Sequence, residues 1–139
     1  MARPQILSAW LGAAGLTVAA LAAAPAAAAT TPGELLSGYR VAAGNAAAAP
    51  ERGQRLFTAT HGREWSCASC HGSAPTQAGR HASTGKPIGA LAPAFNPERF
   101  TDPAKVEKWF RRNCNDVMGR ECTPAEKADV MAWLMSLKP

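Results

Sequence analysis

Cys67, Cys70 and His71 form the segment Cys67-Ala68-Ser69-Cys70-His71 in a chain of 139 residues with four cysteines. Two thiols separated by two residues on a turn of helix have the spacing needed to add to two vinyl groups of a porphyrin, and the next residue then projects under the metal. The spacing predicts one covalent haem c, with Cys67 and Cys70 as thioether partners and His71 as proximal iron ligand. The second ring nitrogen of His71 is expected to donate to a backbone carbonyl, which fixes the tautomer. Two other chemistries use a Cys-x-x-Cys. A dithiol redox pair belongs in a strand–helix pattern that does not surround this segment. A zinc site would need Cys114 and Cys122 as its second pair, and these stand too far apart for an ordinary zinc knuckle.

The sixth position of the iron has several candidates. Met118 lies well downstream of His71 and would give an ordinary His/Met electron carrier. Met131 and Met135, one turn apart, read instead as core fillers. The stretch from Asn113 to Cys122 adds a second pair of cysteines. In an oxidising compartment Cys114 and Cys122 are expected to pair, closing a short loop and contributing roughly 2.5 kcal/mol in the chain-entropy view. Such a bridge is either a plain staple or a device that stiffens the segment where a distal ligand belongs. Asn113, Asn115 and Met118 are the candidate ligands in that segment. Taken alone, Asn113 reads as a helix-ending residue bonded to its own backbone.

These residues need elements to hold them. The segment 1–29 reads as a cleaved signal peptide: Arg3 is its only charge, the run from Ile6 to Leu21 is apolar, and Ala27-Ala28-Ala29 offers a small-residue cleavage site. The expected location is the periplasm. Residues 30–50 form an N-terminal extension with a short helix opened by the capping box Thr31-Pro32-Gly33-Glu34. Residues 51–139 form the main unit. Within it, Gly53, Leu56 and Phe57 share a helical face over 51–60. The stretch 72–96 is rich in proline and glycine and reads as loop; one so long in a small domain is expected to wrap something other than protein. Asp102 caps a helix from Pro103 to about Asn113. Thr123-Pro124-Ala125-Glu126 opens a terminal helix whose Val130, Trp133, Leu134 and Leu137 face inward. No strand is expected. Trp65, Trp109 and Phe110 are expected against the macrocycle or the core, Arg80 and Lys86 near its propionates, and His61 and His81 at the surface or at a helix end.

Gly53 and Phe57 on an early helix, the haem motif after it, and Val130 with Trp133 on the last helix resemble a class I cytochrome c, so the expected fold is all-α around one haem. The run Trp109-Phe110-Arg111-Arg112-Asn113-Cys114, continuing through Cys122-Thr123-Pro124-Ala125-Glu126 to Val130, is similar to the sphaeroides haem protein family of high-spin, oxygen-binding class I cytochromes c. The likeness extends from Glu51 to Leu137. In that family an asparagine directly before the first cysteine of a distal disulfide binds oxidised iron and leaves on reduction; a sister cytochrome has histidine there. The resemblance implies Asn113 as distal ligand and Cys114–Cys122 as the bridge. The chemistry agrees. An amide oxygen is a hard, weak-field ligand that ferric iron tolerates and ferrous iron holds poorly, and the freed amide keeps an NH₂ donor for a bound gas.

The implied function is one-electron transfer with binding of dioxygen, nitric oxide or carbon monoxide in the ferrous state. A di-haem cytochrome c is the implied electron donor, and any link to a membrane would run through such a partner. Substrate turnover is not expected, because no acid is positioned to deliver protons; Asp116 and Glu121 are merely nearby. Lys plus Arg exceeds Asp plus Glu by 15 to 10, a formal charge of +5. Lys105, Lys108, Arg111 and Arg112 on one helix suit an acidic redox partner, and no nucleic acid is needed to account for the charge.

Overall fold

The computed structural model describes residues 29–139, and the segment read as a signal peptide lies almost wholly outside them. Five helices follow in order: α1 (Pro32–Ala42), α2 (Pro50–Thr58), α3 (Cys67–His71), α4 (Pro103–Met118) and α5 (Pro124–Ser136). Among the described residues no helix is long and apolar enough to cross a membrane. The expectation of no strand is corrected by one small feature. Gly79–Arg80 (β1) and Pro87–Ile88 (β2) pair antiparallel inside the long loop.

Local chemistry sets the helix starts. Thr31 Oγ1 accepts from Glu34 N at 3.2 Å while Glu34 Oε2 accepts from Thr31 N at 2.7 Å. Thr123 and Glu126 repeat the arrangement at α5, at 3.2 and 2.8 Å, and Asp102 accepts from Lys105 N at 3.0 Å at α4. Each satisfies backbone donors that would otherwise lack partners. Proline at the first helical position completes all three.

The core forms where α2 and α1 pack against α5. Phe57, Met131 and Leu134 are fully enclosed, and the Phe57 and Trp133 rings lie 4.9 Å apart. Gly53 makes the α2–α5 crossing possible, since a Cβ there would overlap the Asp129 carbonyl. Asp129, 5% exposed, pins the same crossing. Its carboxylate accepts from Ala49 N at 2.6 Å and from Arg52 Nε at 2.7 Å.

One helix reading needs correction. α4 runs to Met118 rather than ending near Asn113, because Cys114 and Val117 continue its buried face; Gly119 then stops it in the left-handed conformation.

Candidate haem site

The proximal residues sit on the five-residue helix α3. Its first turn is held by Ser66 N donating to Ser69 Oγ at 3.0 Å. Gly72, at φ 78°, turns the chain away directly after His71. Cys67 and Cys70 are both free and half-buried, and Ala82 N donates to Cys70 Sγ at 3.2 Å. Phe57 braces the imidazole, with ring centroids 6.1 Å apart. β1 crosses close behind, where a Cβ on Gly79 would overlap the Cys70 carbonyl. A cavity of about 380 Å³ opens beside His71 along the 72–79 segment. Burial, then the nearby charge of Arg99, brings His71 down to about 4, so its imidazole is neutral and able to hold a metal. Burial pushes the Cys67 thiol up to about 11. The expected hydrogen bond from the second His71 nitrogen to a carbonyl is not formed among the described residues.

Arg99 escaped the sequence reading. Nothing in the sequence distinguishes it from Arg80 or Lys86. In the fold its Nε donates to Ala90 O at 2.8 Å and its Nη2 to Gly89 O at 2.7 Å, and burial lowers its pKa. No carboxylate faces it among the described residues. Its charge acts on His71, which makes it a candidate partner for the acidic groups of a macrocycle bound there. Arg80 instead donates to Gly85 O at 3.2 Å, and both Arg80 and Lys86 are exposed.

The distal residues sit on α4. Val106, Phe110, Asn113, Cys114 and Val117 fall on its inward side, whereas Asn115 and Asp116 are exposed. Asn115 is committed, donating from Nδ2 to Arg111 O at 2.8 Å. The Asn113 carboxamide has no partner among the described residues. Met118 projects about 140° around the helix from Asn113 at 100° per residue, and its sulfur lies 3.5 Å from Cys122 Sγ. Cys114 and Cys122 are bonded to one another, with Cα atoms 5.6 Å apart, so neither thiol is left to join Cys67 and Cys70 around zinc. α4 packs its backbone closely against no other helix.

These features fit a haem. Two unpaired thiols and a neutral imidazole share α3, an uncommitted amide lies on the inward face of α4, and α4 reaches the helical core through the side chains of Val106 and Phe110 rather than through close backbone packing. Other residues fall elsewhere. His61 Nε2 lies 2.8 Å from Leu56 O beyond the end of α2, a capping role, and His81 Nδ1 bonds within its own loop. Phe110 packs on the core and Trp65 is half-buried. Trp109 departs from expectation: it is 43% exposed, with Lys108 and Arg112 over its ring at 6.0 and 5.6 Å.

Comparison with known proteins places these observations. Residues 43–134 match the family described as domain of unknown function DUF1924. The chain is 53% identical over 124 residues to the cytochrome c-type protein SHP of Cereibacter sphaeroides, covering 86% of this chain and 95% of that one. It is 46% identical over 82 residues to cytochrome c'' of Methylophilus methylotrophus, 59% of this chain and 57% of that one. Among solved structures, oxidised SHP, described as an oxygen-binding cytochrome c, superposes with a TM-score of 0.73 at 52% identity over 78% of this chain and 99% of that one. Oxidised cytochrome c'' from M. methylotrophus superposes with a TM-score of 0.68 at 37% identity, over 78% and 95%.

Proposed function

Because the chain belongs to the sphaeroides haem protein family, within the class I cytochromes c, we propose that it is an exported one-electron carrier whose distal ligand, Asn113, leaves the iron on reduction and opens it to a diatomic gas. Its cofactor is a covalently bound haem c. We assign the thioether bonds to Cys67 and Cys70 and the proximal ligand to His71. When bound, the haem supplies a one-electron iron couple and an axial position for a small ligand.

The chain's own residues do the rest. Phe57 fixes the plane of the neutral imidazole from one side. Arg99, held by the Ala90 and Gly89 carbonyls, would offer a positive charge to the acidic groups of a bound haem. With haem bound, Asn113 would be the residue to hold ferric iron through its amide oxygen, a hard neutral donor that suits ferrous iron poorly. The Cys114–Cys122 bridge, starting at the very next residue, limits how far Asn113 can travel and so favours its return on reoxidation. A di-haem cytochrome c is the proposed electron donor and the periplasm the proposed compartment. That SHP is an oxygen-binding cytochrome c supports a gas as ligand here.

The observation that carries this reading is the free Asn113 carboxamide on the inward face of α4, set against Asn115, tied to its own helix, and Met118, turned toward the bridge. Two measurements test it. The dithionite-reduced holoprotein is expected to take up carbon monoxide rapidly and completely; failure to do so returns the sixth position to Met118. Asn113→Val is expected to alter the ferric absorption spectrum, and an unchanged spectrum removes Asn113 from the iron.

A further inference from the structure

α4 carries the distal residues yet packs its backbone closely against no other helix. Side chains rather than close backbone packing therefore fix its height and rotation, with Val106 in the core and Phe110 against it. One attachment is the Cys114–Cys122 bridge, C-terminal to Asn113. The other lies toward the N-terminal half, where three elements meet on Glu107. Tyr39 of α1, itself buried, donates its hydroxyl to Glu107 Oε1 at 2.6 Å. Lys127 of α5 donates to Glu107 Oε2 at 2.7 Å. The Lys127 ammonium also sits over the rings of Tyr39 and Phe110, at 5.4 and 5.8 Å. Those two rings meet edge to face with centroids 5.8 Å apart.

We propose that Tyr39, Glu107 and Lys127 form a clip that positions Asn113 against the iron, an inference that rests on Asn113 being the ferric ligand. The clip fixes Phe110, which shares the inward face of α4 one turn before Asn113, and so sets the rotation of the helix at the ligand. With the bridge on the other side, Asn113 occupies a span held at both ends. It can leave the metal without the helix drifting. The extension 30–50 thereby gains a purpose: α1 supplies Tyr39, the arm that reaches across to the ligand-bearing helix. These three are positioning residues; none of them touches the metal.

The test is a double-mutant cycle on the holoprotein, read by spectroelectrochemistry. Tyr39→Phe deletes the hydroxyl and keeps the ring. Misplacing Asn113 weakens ferric ligation, so the reduction potential rises, by about 59 mV for a tenfold loss; a threefold to tenfold loss is expected. Glu107→Gln is expected to move the potential in the same direction. In an Asn113→Val background neither change moves it further. A potential unmoved by Tyr39→Phe, while Asn113→Val shifts it, overturns the clip and leaves the ligand intact. So does a shift that persists in the Asn113→Val background, which marks a general effect on the fold. If Asn113→Val itself leaves the ferric spectrum and the potential unchanged, the ligand assignment falls and the clip with it. Should Tyr39→Phe fail to keep its haem, Lys127→Met removes the third arm and carries the same expectation.

Discussion

A side chain becomes a ligand by being uncommitted as much as by its chemistry. Asn113 and Asn115 are the same residue type two positions apart, yet only Asn115 has spent its amide on the helix backbone, at 2.8 Å. That distinction was out of reach of sequence reading, because it depends on α4 continuing past Asn113. Cys67, Cys70 and His71 were legible because their geometry is decided within five residues. Arg99 was not, because its place beside His71 depends on the path of a loop from Gly72 to Asn96. The bridged loop that follows Asn113 depends on single residues too. Arg120, inside it, donates to both oxygens of Glu126 at 2.8 and 2.6 Å. Those bonds, together with the Thr123 N–H, hold the Glu126 carboxyl down to about 2 against an ordinary 4.5. A depressed carboxylate pKa gives stability that is fully present above the ordinary value and is lost as pH falls through the lowered one. Glu126→Gln keeps an acceptor for the Thr123 N–H but removes the charge, and is therefore expected to cost about 1 kcal/mol at pH 7 as the charge-assisted bonds to Arg120 and Thr123 become neutral ones. In urea titrations of the two holoproteins the difference should persist down to about pH 4.5 and vanish near pH 2. A difference independent of pH would assign the effect to packing.

Helices α1 and α5 were readable from their capping boxes, and α2 from Gly53 and Phe57 on one face. α4 was read short because asparagine commonly ends a helix, although Cys114 and Val117 extend its apolar side and only Gly119 ends it. The β1–β2 pair escaped notice because two residues per strand carry no period. Two glycines separate helix propensity from helix packing. Gly38 lies in α1 with open space where a Cβ would go, whereas the same atom on Gly53 would strike the α5 backbone at Asp129. Gly38→Ala is expected to raise stability by about 0.5–1 kcal/mol through propensity alone. Gly53→Ala enjoys the same propensity gain and is nevertheless expected to lose about 2–3 kcal/mol by forcing α2 from α5. Thermal melting of the two variants checks the pair. Equal effects would mean that the crossing can slide to admit a methyl group. Because Phe57 shares α2 and braces His71, Gly53→Ala should also disturb the proximal imidazole, visible as a changed ferric spectrum that Gly38→Ala does not produce.

Across the whole molecule the positive charge is unevenly spent. Arg52, Arg120 and Lys127 are each paired with a carboxylate. Lys105, Lys108, Arg111 and Arg112 on α4 are exposed and have no such partner among the described residues, and the exposed Trp109 lies in their midst. Sequence alone supplied the four cations; that Trp109 faces solvent among them, rather than the macrocycle, came only from the fold. An aromatic side chain ringed by unpaired cations is a suitable anchor for an acidic protein surface. It also lies one turn from Asn113, on the helix that carries the proposed distal ligand. Exposed charges steer association only within a Debye length of about 10 Å at 0.1 M salt. Reduction of the ferric holoprotein by an acidic electron donor, such as a flavodoxin hydroquinone, should accordingly slow steeply as salt is added. Reversing two of the charges, Lys108→Glu with Arg112→Glu, is expected to lower the bimolecular rate about tenfold at low ionic strength and to flatten its salt dependence. Reduction by a small neutral reductant should not change, because it needs no docking. If the reversed protein accepts electrons from the acidic donor as fast as the original, with the same salt dependence, the donor docks elsewhere, and the charge on α4 serves only to keep that surface in water.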